Sequence, residues 1–269
     1  MKKKITVAFV TQKGGCTKST TTLITANLLQ YKFGKKIAVV DYDSQNTISE
    51  IRHEEKELAN TYPAVANALT EQGIKVYDVL PANLINYSVS EIAGLFPEDT
   101  DYIFFDYPAM AIKNNSDGDT DSEDNPLKQT REKLLSDFRE IDVMIVPMTD
   151  SDTDNRATLR FLLELNMIHN IEPKLLCVFH TKVDRQLKNW REKLSAEQEK
   201  YNSLGFVEVF NTFIPNLKIF NSGMSVENIE KNKINCIRNT ILLPNQADLE
   251  KSNYLAFTEE FLQKTANIN

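Results

Sequence analysis

A glycine-containing turn between an apolar run and a helical segment is the feature that most constrains the fold of this chain. The turn, residues 12–20, reads Gln-Lys-Gly-Gly-Cys-Thr-Lys-Ser-Thr. Residues 5–10 before it are β-rich, and residues 19–33 after it have helical spacing and stop at Gly34, a residue type common after helices. Free backbone N–H groups and the positive end of a helix dipole meet at such a turn. The segment therefore predicts a phosphate-binding loop.

Two side chains of this loop have the chemistry that a nucleotide site needs. Lys18 is predicted to place its ammonium on the β- and γ-phosphates, and the Ser19 hydroxyl is predicted to ligate Mg²⁺. The regular phosphate loop, G-x-x-x-x-G-K-[ST], has glycines where this chain has Gln12 and Thr17. A β-branched residue is strained where φ must be positive. Thr17 is therefore the residue that puts hydrolysis of a bound nucleotide in question.

Apolar runs alternate with longer helix-compatible segments along the chain. The β-rich runs lie at residues 5–10, 37–42, 75–80, 102–106, 142–147, 174–180 and 206–210. Near-continuous apolar strands joined by helical crossovers predict an α/β fold, a mostly parallel twisted sheet with helices on both faces. The 269 residues suffice for one such domain with a large core. Because ligands of these sheets bind beyond the carboxyl ends of the strands, the site residues are expected there.

Two of the predicted strands end in aspartate-containing segments. Residues 41–46, after the second strand, read Asp-Tyr-Asp-Ser-Gln-Asn, and residues 102–108 read Tyr-Ile-Phe-Phe-Asp-Tyr-Pro. The second segment would deliver Asp106 to the sheet edge, where its carboxylate can hold Mg²⁺. Asp43 has two interpretations, a carboxylate that orients an attacking water or the N-cap of the next helix.

The three motifs together resemble the ParA/MinD family of ATPases, which have a P-loop NTPase architecture. The loop with its second lysine, Lys13, resembles that family's deviant Walker A motif, K-G-G-x-G-K-[ST], although the family has glycine where this chain has Thr17. Residues 41–46 resemble the D-x-D-P-Q segment, and residues 102–108 resemble Walker B. Weaker similarities bring the span of the resemblance to residues 3–230, including Pro215 in a late Ile-Pro turn.

The resemblance implies a cofactor and roles for individual residues. ATP or ADP with Mg²⁺ would be held largely through backbone N–H groups of Gly14, Gly15, Cys16, Thr17, Lys18, Ser19 and Thr20. Ser19 and Asp106 would hold the metal, and Asp43 would orient the attacking water. Pro215 would line the adenine pocket. Lys13 is either a solvated charge or, as in the family, a catalytic lysine that reaches the partner's phosphates in a nucleotide-sandwich dimer.

The same resemblance implies a function. The chain, taken as one domain over residues 1–269, would be a ParA-like ATPase that converts ATP and water to ADP and phosphate and partitions plasmid or mobile-element DNA. An ATP-bound homodimer would bind nonspecific DNA, and a ParB-like or adaptor partner protein would stimulate slow hydrolysis. The protein would be cytoplasmic, and nucleoid-associated when ATP-bound. Two alternatives stay open: a nucleotide-binding scaffold or regulator in which Thr17 prevents hydrolysis, and a small-molecule ATP-dependent ligase or kinase.

A basic segment is the candidate DNA contact of a chain that is acidic as a whole. The net charge of −7 argues against extensive coating of DNA but is compatible with a local basic face. Within residues 182–193 three cations fall three apart, so a helix would place them roughly on one face. The candidate DNA-binding residues are Arg185, Lys188, Arg191 and Lys218. The alternative is a solvated amphipathic helix that buries Leu187, Trp190 and Leu194.

Two further segments carry predictions of their own. Residues 114–126 hold five acids and no base, and they lack the EF-hand positions of glycine and glutamate, which predicts an inserted mobile acidic loop rather than a calcium site. Residues 246–264 predict one helix, docked through Tyr254, Phe257 and Phe261. Its other face is net acidic, which argues against a membrane role. The three cysteines have no metal-ligand spacing, as in a reduced cytoplasmic protein.

Overall fold

A seven-stranded parallel sheet forms the centre of the part of the protein that the structure describes. The structure is a computed structural model, and it describes residues 4–11, 17–42, 47–63, 66–67, 79–81, 87–108, 126–216 and 246–268. The strands are β1 Ile5–Phe9, β2 Ile37–Asp41, β3 Val79–Pro81, β4 Tyr102–Asp106, β5 Val143–Met148, β6 Leu175–His180 and β7 Glu208–Val209. Their order is β3-β2-β4-β1-β5-β6-β7, and every described pairing is parallel.

Helices connect the strands and follow the last of them. They are α1 Lys18–Phe33, α2 Thr47–Thr61, α3 Val89–Leu95, α4 Pro126–Glu140, α5 Asp152–Leu163, α6 Trp190–Asn202, α7 Gln246–Ser252 and α8 Tyr254–Thr265. A π-helical turn, Glu164–Ile168, continues α5. Helix α1 ends as its sequence predicts, because Gly34 adopts φ 61° and its N–H donates to the Leu29 carbonyl.

The sheet is covered on both faces, which confirms the predicted α/β fold. Successive strand side chains point to opposite faces, so Val7 and Phe9 enter one core while Ala8 enters the other. The first core is completed by α1 and α8, which contribute among others Leu23, Leu28, Phe257 and Phe261. The second core is completed by α3, α4, α5 and α6, which contribute Ile92, Phe138, Phe161 and Tyr201.

Two predicted helices differ from the structure. The predicted helix 246–264 is interrupted at Asn253, whose φ of 61° places it in the left-handed region between α7 and α8. Residues 182–189 form turns rather than helix, and α6 begins only at Trp190. Local polar groups explain the second difference, because the Gln186 N–H donates to the Asp184 carboxylate at 2.9 Å in an Asx-type turn. Lys182 is also left-handed, with φ 55°.

Candidate functional site

The N-terminus of α1 meets the carboxyl ends of β1 and β4 at a three-residue cluster, two members of which are buried. Lys18 Nζ lies 2.6 Å from one oxygen of Asp106, and the Ser19 hydroxyl donates to the other oxygen at 2.6 Å. The cluster forms because Asp106 ends β4, which is paired with β1, and α1 begins just beyond β1. The Lys18 side chain is 8% exposed and that of Asp106 is 0% exposed. Sequence therefore identified three groups that the fold brings into direct contact.

The electrostatics of the cluster are set by burial. Desolvation raises the pKa of the Asp106 carboxyl, and the Lys18 ammonium and Ser19 hydroxyl lower it in part. The carboxylate of Asp41, which lies opposite Asp106 in the β2–β4 register, raises it further. A hydroxyl and a carboxylate at one sheet edge are hard oxygen ligands of the kind that Mg²⁺ prefers, so Ser19 and Asp106 fit that ion.

Asp41 has a role that the sequence analysis did not assign to it. This fully buried carboxylate accepts hydrogen bonds from the Ile48 N–H at 3.1 Å and the Ser49 N–H at 2.9 Å, and from the Ser49 hydroxyl at 3.1 Å. It therefore satisfies free N–H groups in the first turn of α2, the capping task that one interpretation gave to Asp43. The available signal was the position of Asp41 as the acid that ends a buried strand.

Thr17, the departure from the family pattern, precedes α1 in a left-handed conformation. Its φ and ψ are 62° and 19°, so this position needs the positive φ that glycine provides at no steric cost. The Thr17 side chain also forms a hydrogen bond with the Tyr254 hydroxyl. The backbone strain expected from the sequence is therefore present, and one side-chain hydrogen bond opposes it.

Two substitutions at Thr17 separate the strain from the hydrogen bond. A left-handed threonine costs about 1–2 kcal/mol, whereas glycine loses about 0.5–1 kcal/mol more chain entropy on folding. With a net hydrogen bond near 1 kcal/mol, we expect Thr17→Gly to leave the free energy of unfolding within about 1 kcal/mol of wild type. Thr17→Val keeps the strain and loses the hydroxyl, so it should be about 1 kcal/mol less stable. Urea denaturation measures both, and a Thr17→Val protein as stable as wild type would contradict the hydrogen bond's contribution.

The residue predicted to line an adenine pocket lies beside the carboxyl end of β6. The Ile214 N–H donates to the His180 carbonyl at 2.9 Å, and the Val183 N–H donates to the Ile214 carbonyl at 3.0 Å. Pro215 forms a parallel bridge with Val183 and is itself buried. The Ile-Pro turn is thus held against the end of a strand, where a ligand of a parallel sheet is expected.

The predicted basic face is not a helical face. Arg185, Lys188 and Arg191 are all exposed, but Arg185 and Lys188 lie in the turns before α6 and only Arg191 lies within it. Leu187, predicted to face inward, is 45% exposed, whereas Trp190 packs on Phe213 with ring centroids 5.2 Å apart. The helical alignment was therefore wrong, because the Asx-type turn stops helical periodicity before Asn189, the N-cap of α6.

Several predicted residues lie outside the described part of the chain. They are Lys13, Gly14, Gly15, Cys16, Asp43, Lys218 and most of the acidic segment 114–126, whose last residue, Pro126, begins α4. Thr20 is described and lies in the first turn of α1. Among the described residues, no group of three or more His, Cys, Asp or Glu side chains could hold a metal ion. Over the same residues, every helix is too short or too polar to cross a bilayer.

Comparisons with known proteins give one family match and many structural neighbours. Residues 7–224 match the family described as CobQ/CobB/MinD/ParA nucleotide binding domain. A putative plasmid partition protein from Borrelia burgdorferi B31, bound to AMPPNP, is 19% identical with a TM-score of 0.56, over 98% of this chain and 100% of that one. The pNOB8 ParA bound to nonspecific DNA is 16% identical with a TM-score of 0.59, over 98% and 99%.

An enzyme of small-molecule metabolism has a similar fold. Cobyrinic acid a,c-diamide synthase from Mycobacterium smegmatis, with bound ADP and magnesium, is 17% identical with a TM-score of 0.56, over 99% of this chain and 97% of that one. A search of curated proteins found no match. At these identities the structural neighbours establish the fold, and the family match covers most of the chain.

Proposed function

Because this chain belongs to the CobQ/CobB/MinD/ParA nucleotide-binding domain family, we propose that it is a ParA-like ATPase that acts as an ATP-dependent dimerisation switch in DNA partitioning. The observation that carries the proposal is the buried contact of Lys18 and Ser19 with Asp106 at the N-terminus of α1. It combines a phosphate cation, a hydroxyl and a Walker B carboxylate at one sheet edge. We take residues 1–269 as one such domain.

The chain's own residues would divide the chemistry among them. Lys18 would leave its contact with Asp106 to reach the phosphates, and the first-turn N–H groups of α1 would bind phosphate oxygens. Mg²⁺ held by Ser19 and Asp106 would neutralise charge on the phosphates. The buried Asp41 carboxylate fixes the start of α2, and so the far end of the segment that carries Asp43. Asp43 would then orient the attacking water.

Dimerisation and DNA binding would both follow ATP binding. Lys13 would act across the dimer on the partner's phosphates, which would couple ATP binding to association. The exposure of Arg185, Lys188 and Arg191 supports DNA binding by this region, since phosphate contacts need clustered cations and no regular motif. The pNOB8 ParA, a protein of similar fold, has been solved bound to nonspecific DNA. A ParB-like or adaptor protein would stimulate hydrolysis.

The test is ATP turnover by the wild-type protein with and without nonspecific duplex DNA. We expect slow turnover that rises with DNA, and light scattering should show a dimer with ATP and Mg²⁺ for wild type but not for Lys13→Ala. The salt dependence of DNA binding supplies a control. If cations of the protein neutralise DNA phosphates, the affinity for DNA should fall steeply as the salt concentration rises. Turnover that ignores DNA but needs a small-molecule acceptor would instead indicate a ligase or kinase.

The left-handed Thr17 favours a second candidate function, a nucleotide-binding scaffold that does not hydrolyse ATP. Its φ of 62° and its side chain bring a Cβ to a position where family members have none. Bound ATP without turnover in the wild type, together with turnover in Thr17→Gly, would support the scaffold. Equal turnover by both proteins would show that threonine is tolerated there.

A further inference from the structure

The N-terminus of α8 and the residue before it contact two segments that lead into the candidate nucleotide site. The helix begins at Tyr254, directly after the left-handed Asn253. Tyr254 faces the start of α1, whereas Asn253 faces the turn that precedes Pro215. These two contacts belong to neighbouring residues of one helix end, although the segments they reach are far apart in sequence.

At the phosphate end, a fully buried tyrosine hydroxyl lies between two threonines of α1 and its cap. The Tyr254 hydroxyl is 3.1 Å from the Thr21 hydroxyl, and it also forms a hydrogen bond with Thr17. The two threonines are one helical turn apart, and the Thr21 N–H donates to the Thr17 carbonyl at 2.8 Å. A buried hydroxyl requires such partners, and the side chain of Tyr254 therefore joins both threonines through one polar group.

At the other end, Asn253 and Glu260 of α8 bind three backbone groups of the turn that leads to Ile214 and Pro215, Asn253 being the N-cap of the helix. The Asn253 side-chain amide donates to the Phe213 carbonyl at 2.9 Å. The Glu260 carboxylate accepts from the Asn211 N–H at 2.7 Å and from the Thr212 N–H at 2.8 Å. The helix therefore positions the turn over three consecutive residues.

We propose that α8 is a brace across the nucleotide site, in which Tyr254 is a positioning residue that holds Thr17 in its left-handed conformation. The inference rests on the proposed function for the identity of the site. A strained backbone conformation persists only where its surroundings hold it, and the Tyr254 hydroxyl is a contact that does so from outside the loop. Without it, the Thr17 backbone would relax and move the adjoining N–H groups from the phosphates.

The first test is the affinity for a fluorescent ATP analogue in Tyr254→Phe, which removes only the hydroxyl. We expect binding about fivefold weaker than wild type, since a net hydrogen bond changes an equilibrium by about that factor. Tyr102→Phe is the matched control, because its buried hydroxyl lies 3.1 Å from Thr265 of the same helix but away from the phosphate loop. That variant should bind the analogue as wild type does, even if its melting temperature falls as much.

A rescue distinguishes positioning from general stability. Glycine adopts a positive φ unaided, so in a Thr17→Gly background the added Tyr254→Phe change should cost little affinity. Equal losses in both backgrounds, or a Tyr102→Phe protein as weak as Tyr254→Phe, would overturn the inference.

A measurement on the nucleotide-free protein tests the brace independently of the proposed function. Amide hydrogen exchange of the free protein should be faster at Thr17–Thr21 in Tyr254→Phe than in wild type or Tyr102→Phe. A wild type that binds no nucleotide would refute the proposed function and leave this comparison intact. Unchanged exchange at those amides would refute the brace itself.

Discussion

Replacing Lys18 by alanine is expected to lower the free energy of unfolding by about 3 kcal/mol and to abolish ATP binding and turnover. The cost arises because the Asp106 side chain is 0% exposed and would lose the Lys18 ammonium. Of its two partners in the cluster, only the Ser19 hydroxyl would remain. A buried charge that loses its partner destabilises the fold far more than a solvated one does. Loss of the ammonium also removes the cation that we propose binds the phosphates, so ATP binding is expected to fail even where the variant is folded.

The destabilisation caused by Lys18→Ala should depend on pH, and the ionisation of Asp106 sets the direction of that dependence. Burial raises the pKa of this carboxyl in the folded protein above its ordinary value, although the Lys18 ammonium lowers it in part. A raised pKa contributes stability below the unfolded pKa and loses it as pH rises through the folded value. Without Lys18 the pKa rises further, and the deficit of Lys18→Ala should therefore be smaller at acid pH than at pH 8. Urea titrations at several pH values measure it.

Two controls make this result specific. Lys36 forms an ion pair with Asp99 at the surface, where both side chains are more than half exposed, so Lys36→Ala should change neither unfolding nor ATP binding measurably. Lys18→Gln keeps a donor toward Asp106 without the charge and should lose less stability than Lys18→Ala while still failing to turn over ATP. A Lys18→Ala protein as stable as wild type would contradict the buried pair.

Truncation of Phe257 to alanine is expected to lower the free energy of unfolding by about 4 kcal/mol. The ring is fully buried between α8 and the sheet, with its centroid 4.3 Å from Phe179 and 4.7 Å from Phe210. The variant therefore loses both apolar burial and close ring contacts, and it leaves a cavity under α8. Chemical denaturation of the wild type and variant gives the difference directly.

The same variant should weaken nucleotide binding if α8 is the brace described above. Met167→Ala is a suitable control, because Met167 is 72% exposed and its truncation should change unfolding and binding little. A Phe257→Ala deficit below about 1 kcal/mol would show that α8 is not packed as the structure has it. If the free energy of unfolding falls by the full amount but nucleotide affinity is unchanged, the packing of α8 is not needed for nucleotide binding.

Local patterns in the sequence were enough to predict the fold and the three-residue cluster. Apolar runs of strand length predicted the parallel sheet, because a strand buried on both faces is apolar along most of its length. Lys18, Ser19 and Asp106 could be placed together because parallel strands bring their carboxyl ends to one edge. The strained position of Thr17 also followed from sequence, as the structure confirms with its φ of 62°.

Local patterns failed where a polar side chain competes with helical periodicity. The spacing of Arg185, Lys188 and Arg191 is compatible with a helix, yet the Asp184 carboxylate binds the Gln186 N–H and a turn forms instead. Asn253 interrupts the C-terminal helix in a left-handed conformation, and its side chain binds the Phe213 carbonyl 40 residues away. The spacing of residues indicates which side chains would share a helix face. It carries no information about the hydrogen bonds that Asp184 and Asn253 form.

The sequence by itself thus determined the alternation of strands and helices along the chain and predicted where a phosphate loop and metal ligands would lie, because each depends on neighbouring residues and on general rules of parallel sheets. Only the tertiary structure decided that Asp41 caps α2 and that Tyr254 contacts the start of α1. The Tyr254 hydroxyl meets the Thr21 hydroxyl across 233 residues of sequence. Contacts of that kind depend on how helices pack on a sheet, and no periodicity within either helix records them.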